Sequence, residues 1–168
     1  MQGETSPTGV GFRPAAPDDF DYCAKLYFAA MDATIRELEL DVDRHIASFR
    51  NQWSAAEVRI ITRDGADTGW LQAAAGTDAL FLKQLFVDAP LRGRGIGTAV
   101  MHRLIDEAAQ AGRAVRLEVV KTNPARRLYE RLGFALTGED ERKFHMRRDG
   151  DARAPADARG KTPTPRPG

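Results

Sequence analysis

Apolar positions recur first at helical spacing. Phe20, Cys23, Ala24, Tyr27 and Phe28 share one face of a helix that Pro17, Asp18 and Asp19 open, with Asp18 or Asp19 near the bare amides of the first turn. Phe12 and Arg13 end a short strand ahead of it. Ile46, Phe49, Arg50 and Trp53 repeat about once per turn and predict a second helix over residues 42–53. From Val58 the period becomes that of strands: VRIITRDGADTGWLQAAA reads as two strands joined around Asp64, Gly65 and Asp67, a hairpin with room for more than two loop residues. ALFLKQLFVDAP is another strand, stopped by Pro90, and Ile96, Val100, Leu104 and Ala108 then mark a helix face that ends before Gly112. AVRLEVV follows as a strand, Pro124 opens a short helix bearing Leu128 and Tyr129, Gly133 ends it, and FALTG with RKFHMR form a terminal strand pair. Strands and helices are interleaved around one clear strand, helix, strand crossover, which predicts an α/β (α+β) fold: a mixed sheet flanked by helices.

Composition narrows this picture. With 168 residues, 42% of them hydrophobic, the chain fits a single domain over residues 1–148, and a chain of this size hides roughly 70% of its extended surface on folding. Residues 149–168, DGDARAPADARGKTPTPRPG, carry proline, glycine and charge but almost nothing for a core, so they read as a disordered tail; the beginning of residues 1–11 is expected to be mobile. Lys and Arg total 25 against 24 acidic residues, a net charge of +1. That leaves no global field for polyanions and no basic stripe with interleaved aromatics, so a nucleic-acid partner is not expected. The sole cysteine, Cys23, excludes an intrachain disulfide and sits in an apolar helical pattern as a structural thiol; His45, His102 and His145 are scattered, and no metal is expected. His102 is expected at the surface, whereas His45 is a candidate for the lining of an acceptor cleft. No run approaches the ~20 apolar residues of a membrane span and the opening segment lacks the pattern of a secretion signal, so a cytoplasmic location is expected.

The segment LFVDAPLRGRGIGTAVM bears most on chemistry. Gly93, Gly95 and Gly97 strip side chains from the point where a strand gives way to a helix, and the first turn of that helix leaves amides unpaired. Such amides, with the positive end of the helix dipole, suit a phosphate or pyrophosphate, and Arg92 and Arg94 can add charged donors. The spacing alone fits a tight, closely packed turn nearly as well. A Walker A loop would need a lysine after the last glycine, where this chain has Thr98, and a dinucleotide fingerprint would be spaced G-x-G-x-x-G in the first strand-turn-helix unit.

Arg92, Gly95 and Gly97 after QLFV, together with the later run NPARRLYERLGF, carry a resemblance. The chain resembles the GCN5-related N-acetyltransferase (GNAT) family, convincingly over residues 58–144 and more loosely over the first two helices. The resemblance implies an acyl-CoA N-acyltransferase fold with splayed central strands, and acetyl-CoA as the acetyl donor. It also implies roles. Leu85, Phe86 and Val87 would contact the pantetheine arm and acetyl group; the amides of Arg92, Gly93, Arg94, Gly95, Ile96, Gly97 and Thr98 would hold the pyrophosphate; Asn123 and Arg126 would contact the coenzyme, and Tyr129 would face its sulfur. A homodimer is one form known for such proteins.

Acetyl transfer to an amine needs a neutral nucleophile, and an alkyl ammonium with pKa near ~10 must first lose a proton. Tyr129 is the candidate acid for the departing thiolate, the alternative being that its ring packs the short helix. Glu118 is the candidate base: Arg116, Glu118 and Val120 share the face opposite Leu117 and Val119. In this stretch the chain is similar to ribosomal-protein alanine acetyltransferases, which use a glutamate in LEV, although Asn123 and Tyr129 stand one residue closer here. Glu118 could equally pair with a surface arginine. Glu37, Glu39, Asp41 and Asp43 could attract a polycationic acceptor or form a solvated loop, and Trp53, Trp70 and Phe81 could wall the acceptor site or belong to the core. The expected activity is acetyl transfer from acetyl-CoA to a primary amine of a small molecule or peptide. The alternatives are O-acetyl or other acyl transfer, or a non-catalytic CoA-binding regulator.

Overall fold

The computed structural model describes residues 9–150, so the first eight residues and all but the start of the expected tail lie outside the described residues. Its strands join in the hydrogen-bonded order β1-β2-β3-β4-β5-β7-β6. They are β1 (Val10–Pro14), β2 (Val58–Arg63), β3 (Ala66–Ala75), β4 (Ala79–Val87), β5 (Ala114–Val120), β6 (Ala135–Glu139) and β7 (Lys143–Arg148). Among the described residues four α-helices accompany them: α1 (Phe20–Glu37), α2 (Val42–Gln52), α3 (Ile96–Gln110) and α4 (Ala125–Arg131). The mixed sheet expected from the interleaved pattern is therefore present, with β4 and β5 parallel and β5, β7 and β6 antiparallel. Two compact units share the chain: residues 9–74 with Lys83–Val100, and Ala75–Leu82 with residues 101–150.

In the first unit the apolar faces read from the sequence do meet. Cys23 and Leu26 of α1, Phe49 of α2, Val58 and Ile60 of β2 and Trp70 of β3 form a buried cluster, with Phe20, Tyr27, Phe28, Trp53 and Phe86 packed around it. Trp70 has no exposed surface and meets Phe49 edge-on at 6.0 Å, so it and Trp53 belong to the core rather than to a substrate wall. Truncating an indole so enclosed costs about 3–5 kcal/mol. The hairpin between β2 and β3 turns through Asp64 (φ 52°) and Gly65 (φ 87°) alone. Two left-handed residues match the right-handed twist of the strands, so the loop is the minimal one; Asp67 already pairs with Thr62 inside β3.

Polar groups tie these elements together. The Arg13 guanidinium donates to both oxygens of Asp19 at 2.9 and 3.1 Å and to Asp67 at 2.9 and 3.2 Å, linking β1, the helix entry and β3. Asp19 also accepts the Ala16 N–H at 2.8 Å, the first-turn role expected of it, and the Arg13 hydrogen bonds hold its carboxyl below the usual range. Asp41, one of the four clustered acids, caps α2 by accepting the Arg44 N–H at 3.1 Å. Buried Gln72 donates to the Gln52 carbonyl and to Glu57, both at 2.8 Å, and Lys83 donates to the same Glu57 oxygen at 2.9 Å. Gln72 first, then Lys83, holds the Glu57 carboxyl below its usual range.

In the second unit α3 buries Met101, Leu104, Ile105 and Ala108 and ends at Gly112 (φ 71°), where the Arg113 N–H reaches back to the Ala108 carbonyl at 2.8 Å. The β4–β5 ladder runs from Ala79↔Ala114 to Leu82↔Leu117, while β4 itself continues to Val87. β5 alternates as the sequence requires: Val115, Leu117 and Val119 are buried, and Arg116, Glu118 and Val120 are exposed. Phe134, expected to begin β6, is buried; its N–H bonds the Tyr129 carbonyl at 3.0 Å, closing α4, and the strand starts one residue later.

Candidate active site

Beyond β4 the chain turns through Ala89–Leu91 and enters α3. Here the Arg92 N–H bonds the Ala89 carbonyl at 3.1 Å, and its Nε donates to the Val87 carbonyl at 3.0 Å. The Arg92 amide thus takes part in the turn, and its side chain fastens the strand end. The following residues differ. Gly93 (φ 80°) and Gly95 (φ 78°) occupy left-handed backbone, which glycine adopts without strain. The first backbone bond of α3 runs from the Ala99 N–H to the Gly95 carbonyl at 3.0 Å, and among the described residues no carbonyl accepts from the N–H groups of residues 93–98. Those six donors lie in the first turn of a 15-residue helix and the three residues ahead of it, at the positive end of its dipole.

Gly97 adds a separate observation. Its backbone lies outside the left-handed region, and a Cβ placed there would meet nothing within 4 Å. A glycine in a helix costs about 1 kcal/mol relative to alanine, and nothing in the chain's own packing calls for one here. The space over it suits a ligand lying close to the backbone. Upstream, a Cβ on Gly69 of β3 would collide with the Phe86 carbonyl, so β3 and the end of β4 approach closely. Leu85, Phe86 and Val87 are half-buried, and the Phe86 ring rests on Trp70 at 5.3 Å and Tyr27 at 5.4 Å.

The remaining candidates lie in the second unit. Asn123 accepts the Ala125 N–H through Oδ1 at 2.8 Å, so it caps α4. Arg126 donates to Glu130 at 2.9 Å, with its guanidinium 4.1 Å above the Phe144 ring. Tyr129 is half-buried, its ring edge-on to Phe134 at 5.8 Å, and burial pushes its phenol above the ordinary value. The ring thus packs the short helix, and the hydroxyl retains the proton that an acid must carry.

Glu118 has partners other than the expected arginine. Lys143 Nζ lies 3.4 Å from Oε1 and His145 Nδ1 lies 3.5 Å from Oε2. The reason is register: β7 runs antiparallel to β5 and sets His145 opposite Glu118. His145 Nε2 also meets Asp140 Oδ2 at 3.0 Å. Asp140 accepts hydrogen bonds from the Arg142 N–H and from His145, which hold its carboxyl down at about 2. Neither Asp140 nor Lys143 stands out in the sequence; only strand pairing brings Lys143 to Glu118 and His145 between Glu118 and Asp140.

Other candidates take simpler places. Burial pushes the Cys23 thiol up to about 11, as befits a structural cysteine. His102 is exposed, and the half-buried His45 ring stacks on Tyr27 at 6.5 Å. Half-buried Phe81 lies beneath the Arg116 guanidinium at 5.8 Å. Among the described residues no group of three His, Cys, Asp or Glu could hold a metal ion, and no helix is long and apolar enough to cross a membrane.

The chain as a whole is similar to known proteins. Residues 24–134, more than half of the chain, match the model of the Acetyltransferase (GNAT) family. An uncharacterized N-acetyltransferase of Methanocaldococcus jannaschii is 39% identical over 70 residues, which are 40% of this chain and 31% of that protein. The match thus spans about a third of that relative's length. The PaiA N-acetyltransferase of Thermoplasma acidophilum, in complex with coenzyme A, shares the fold at a TM-score of 0.67 and 15% identity, over 83% of this chain and 98% of that one. Ard1 from Thermoplasma volcanium does so at a TM-score of 0.60 and 20% identity, over 84% and 97%. The chain belongs to the acetyltransferase (GNAT) family, whose reaction is acyl transfer from coenzyme A.

Proposed function

We propose that this protein moves the acetyl group of acetyl-CoA onto a primary amine of a small molecule or peptide, by direct attack of the amine on the thioester. The observation that carries the reading is the row of N–H donors at residues 93–98, opening α3 with an unfilled space over Gly97. Main-chain donors at a helix start fit a pyrophosphate. The names of the similar proteins support a nitrogen acceptor, and the coenzyme A complex of one of them supports the ligand.

Acetyl-CoA supplies an activated carbonyl and a thiolate leaving group. The chain's own residues supply the rest. Residues 93–98 bind the phosphates, with Arg94 as an exposed cation beside them. The end of β4, Leu85 to Val87, orients the pantetheine and acetyl group, held in place by the Arg92 bond to Val87. Glu118 accepts the proton of the acceptor ammonium, the Tyr129 hydroxyl hands its proton to the departing sulfur, and the second proton shed by the acylated nitrogen restores Tyr129. Calorimetry on the full chain should show saturable binding of acetyl-CoA. Mass spectrometry of a mixed panel of amines and alcohols should then find the acetyl group on nitrogen. A folded sample that binds no acetyl-CoA overturns the reading, and acetyl found only on oxygen replaces the acceptor class.

A further inference from the structure

Glu118 does not stand alone on its strand face, and a carboxylate by itself is poorly matched to an alkyl ammonium: their ordinary pKa values differ by roughly six units, whereas an imidazole near ~6.5 lies between them. We propose that His145 is the proton relay of this transferase, taking from Glu118 the proton that Glu118 removes from the acceptor and releasing it to water, with Asp140 fixing the imidazole in place. The inference rests on the amine-acetylating reading and on Glu118 as its base.

Three observations carry it. Register sets Glu118 of β5 and His145 of β7 directly opposite, on the face away from the buried Leu117 and Met146 pair. The imidazole then lies between two carboxylates: Nδ1 is 3.5 Å from Glu118 Oε2, and Nε2 is 3.0 Å from Asp140 Oδ2. Asp140 is itself immobilised, because Oδ1 accepts the N–H groups of Arg142 and Lys143, each at 2.8 Å, leaving Oδ2 to hold the histidine. An ionised Asp140 takes the Nε2 proton in a hydrogen bond, so the lone pair of a neutral imidazole sits on Nδ1, facing Glu118.

The surroundings assign the other charges. Lys143 lies against Glu118 Oε1 at 3.4 Å, on the side of the carboxylate away from the imidazole contact at Oε2. Lys121, the residue after β5, pairs instead with Glu139 at 2.6 Å and lies over Phe144. On the opposite side of His145 its β6 partner is Gly138, where a Cβ would meet nothing within 4 Å. With a third of the imidazole side chain exposed, that gap is a route for a proton to water.

The step balances. An N–H bond of the ammonium breaks as an O–H bond forms on Glu118. That O–H bond breaks as an N–H bond forms at His145 Nδ1, and the imidazolium, held between Glu118 and Asp140, gives this proton to water. Glu118 returns as a carboxylate, and one proton has left per acetyl group transferred.

The test uses the full chain with acetyl-CoA and the acceptor found in the amine panel, and in parallel the ring-nitrogen NMR resonances of His145. His145→Gln and His145→Ala should each lower kcat about tenfold, a fraction of what a general base itself contributes. The KM for acetyl-CoA should stay unchanged. Added imidazole should restore His145→Ala several-fold and leave His145→Gln as it is, and the pH dependence of kcat should flatten in both. Glu118→Gln should move the Nδ1 resonance and Asp140→Asn the Nε2 resonance. Wild-type transfer with full activity in the histidine variants overturns the relay and spares the transferase reading. Nitrogen resonances indifferent to both carboxylate changes overturn the relay whatever the rates. Wild-type protein that transfers to no amine overturns both.

Discussion

In the turn ahead of α3, the chemistry is carried by main-chain N–H groups; along β5, α4 and β7 it is carried by side chains. The first region uses glycine to remove substituents and lets the helix supply the field. Its donors cannot be deleted by changing a functional group, only obstructed. The second region depends on individual atoms: a phenol raised by burial, a carboxylate between a lysine and a histidine, and a histidine backed by an aspartate. Holding a ligand and moving its protons are thus entrusted to different kinds of matter, and single substitutions should separate them.

The sharpest separation is Tyr129→Phe. It should reduce kcat about a hundredfold, the lower end of what a positioned acid or base contributes, while calorimetry finds acetyl-CoA affinity within about twofold. Affinity falling in step with kcat would mean that this side chain holds the coenzyme, and the contrast would fail. Next comes Gly69→Ala, which sets a methyl against the Phe86 carbonyl. Overpacking of this kind costs about 1–3 kcal/mol, and chemical denaturation should find that loss before any kinetic defect appears. Gly97→Val should act in the opposite sense, weakening acetyl-CoA about tenfold, or ~1.4 kcal/mol, with an unchanged thermal midpoint. A large loss of stability would instead make Gly97 a packing residue. The smallest effect concerns acid. Asp19 and Glu57 are held below the usual carboxylate range in the folded chain, so their contribution is complete above the unfolded value near ~4 and is lost as pH falls through the lower folded value. Asp19→Asn should flatten the low-pH slope of the thermal midpoint, by about 1 kcal/mol at most for a pair whose arginine is well exposed.

Much of this was legible in the sequence, for identifiable reasons. Helix faces such as Phe20, Cys23 and Tyr27, and the alternation of AVRLEVV, are local periodicities that burial enforces, and the structure reproduces both. Glycine spacing was equally readable, because Gly93 and Gly95 answer to backbone angles rather than to distant partners. What escaped is non-local or subtle. His145 becomes relevant to Glu118 only through the β5–β7 register, which joins residues 27 positions apart and leaves no trace in either strand's pattern. Asn123 and Arg92 illustrate a second limit: the motif named them for a ligand, but each also has a backbone partner at home, Ala125 for one and Val87 for the other. The acid-rich connection between α1 and α2 shows a third, since Asp41 serves a helix start there.

The bond from Arg92 to Val87 has a consequence for ionic strength. Because Nε grips a carbonyl of β4, the ledge that would carry the thioester is moored to the loop by a neutral acceptor. Added salt screens exposed charge over about 8 Å at physiological strength, but it has little hold on a guanidinium seated against an amide oxygen. Saline conditions should therefore loosen attachment of a polyphosphate without displacing the shelf on which its reactive end would rest.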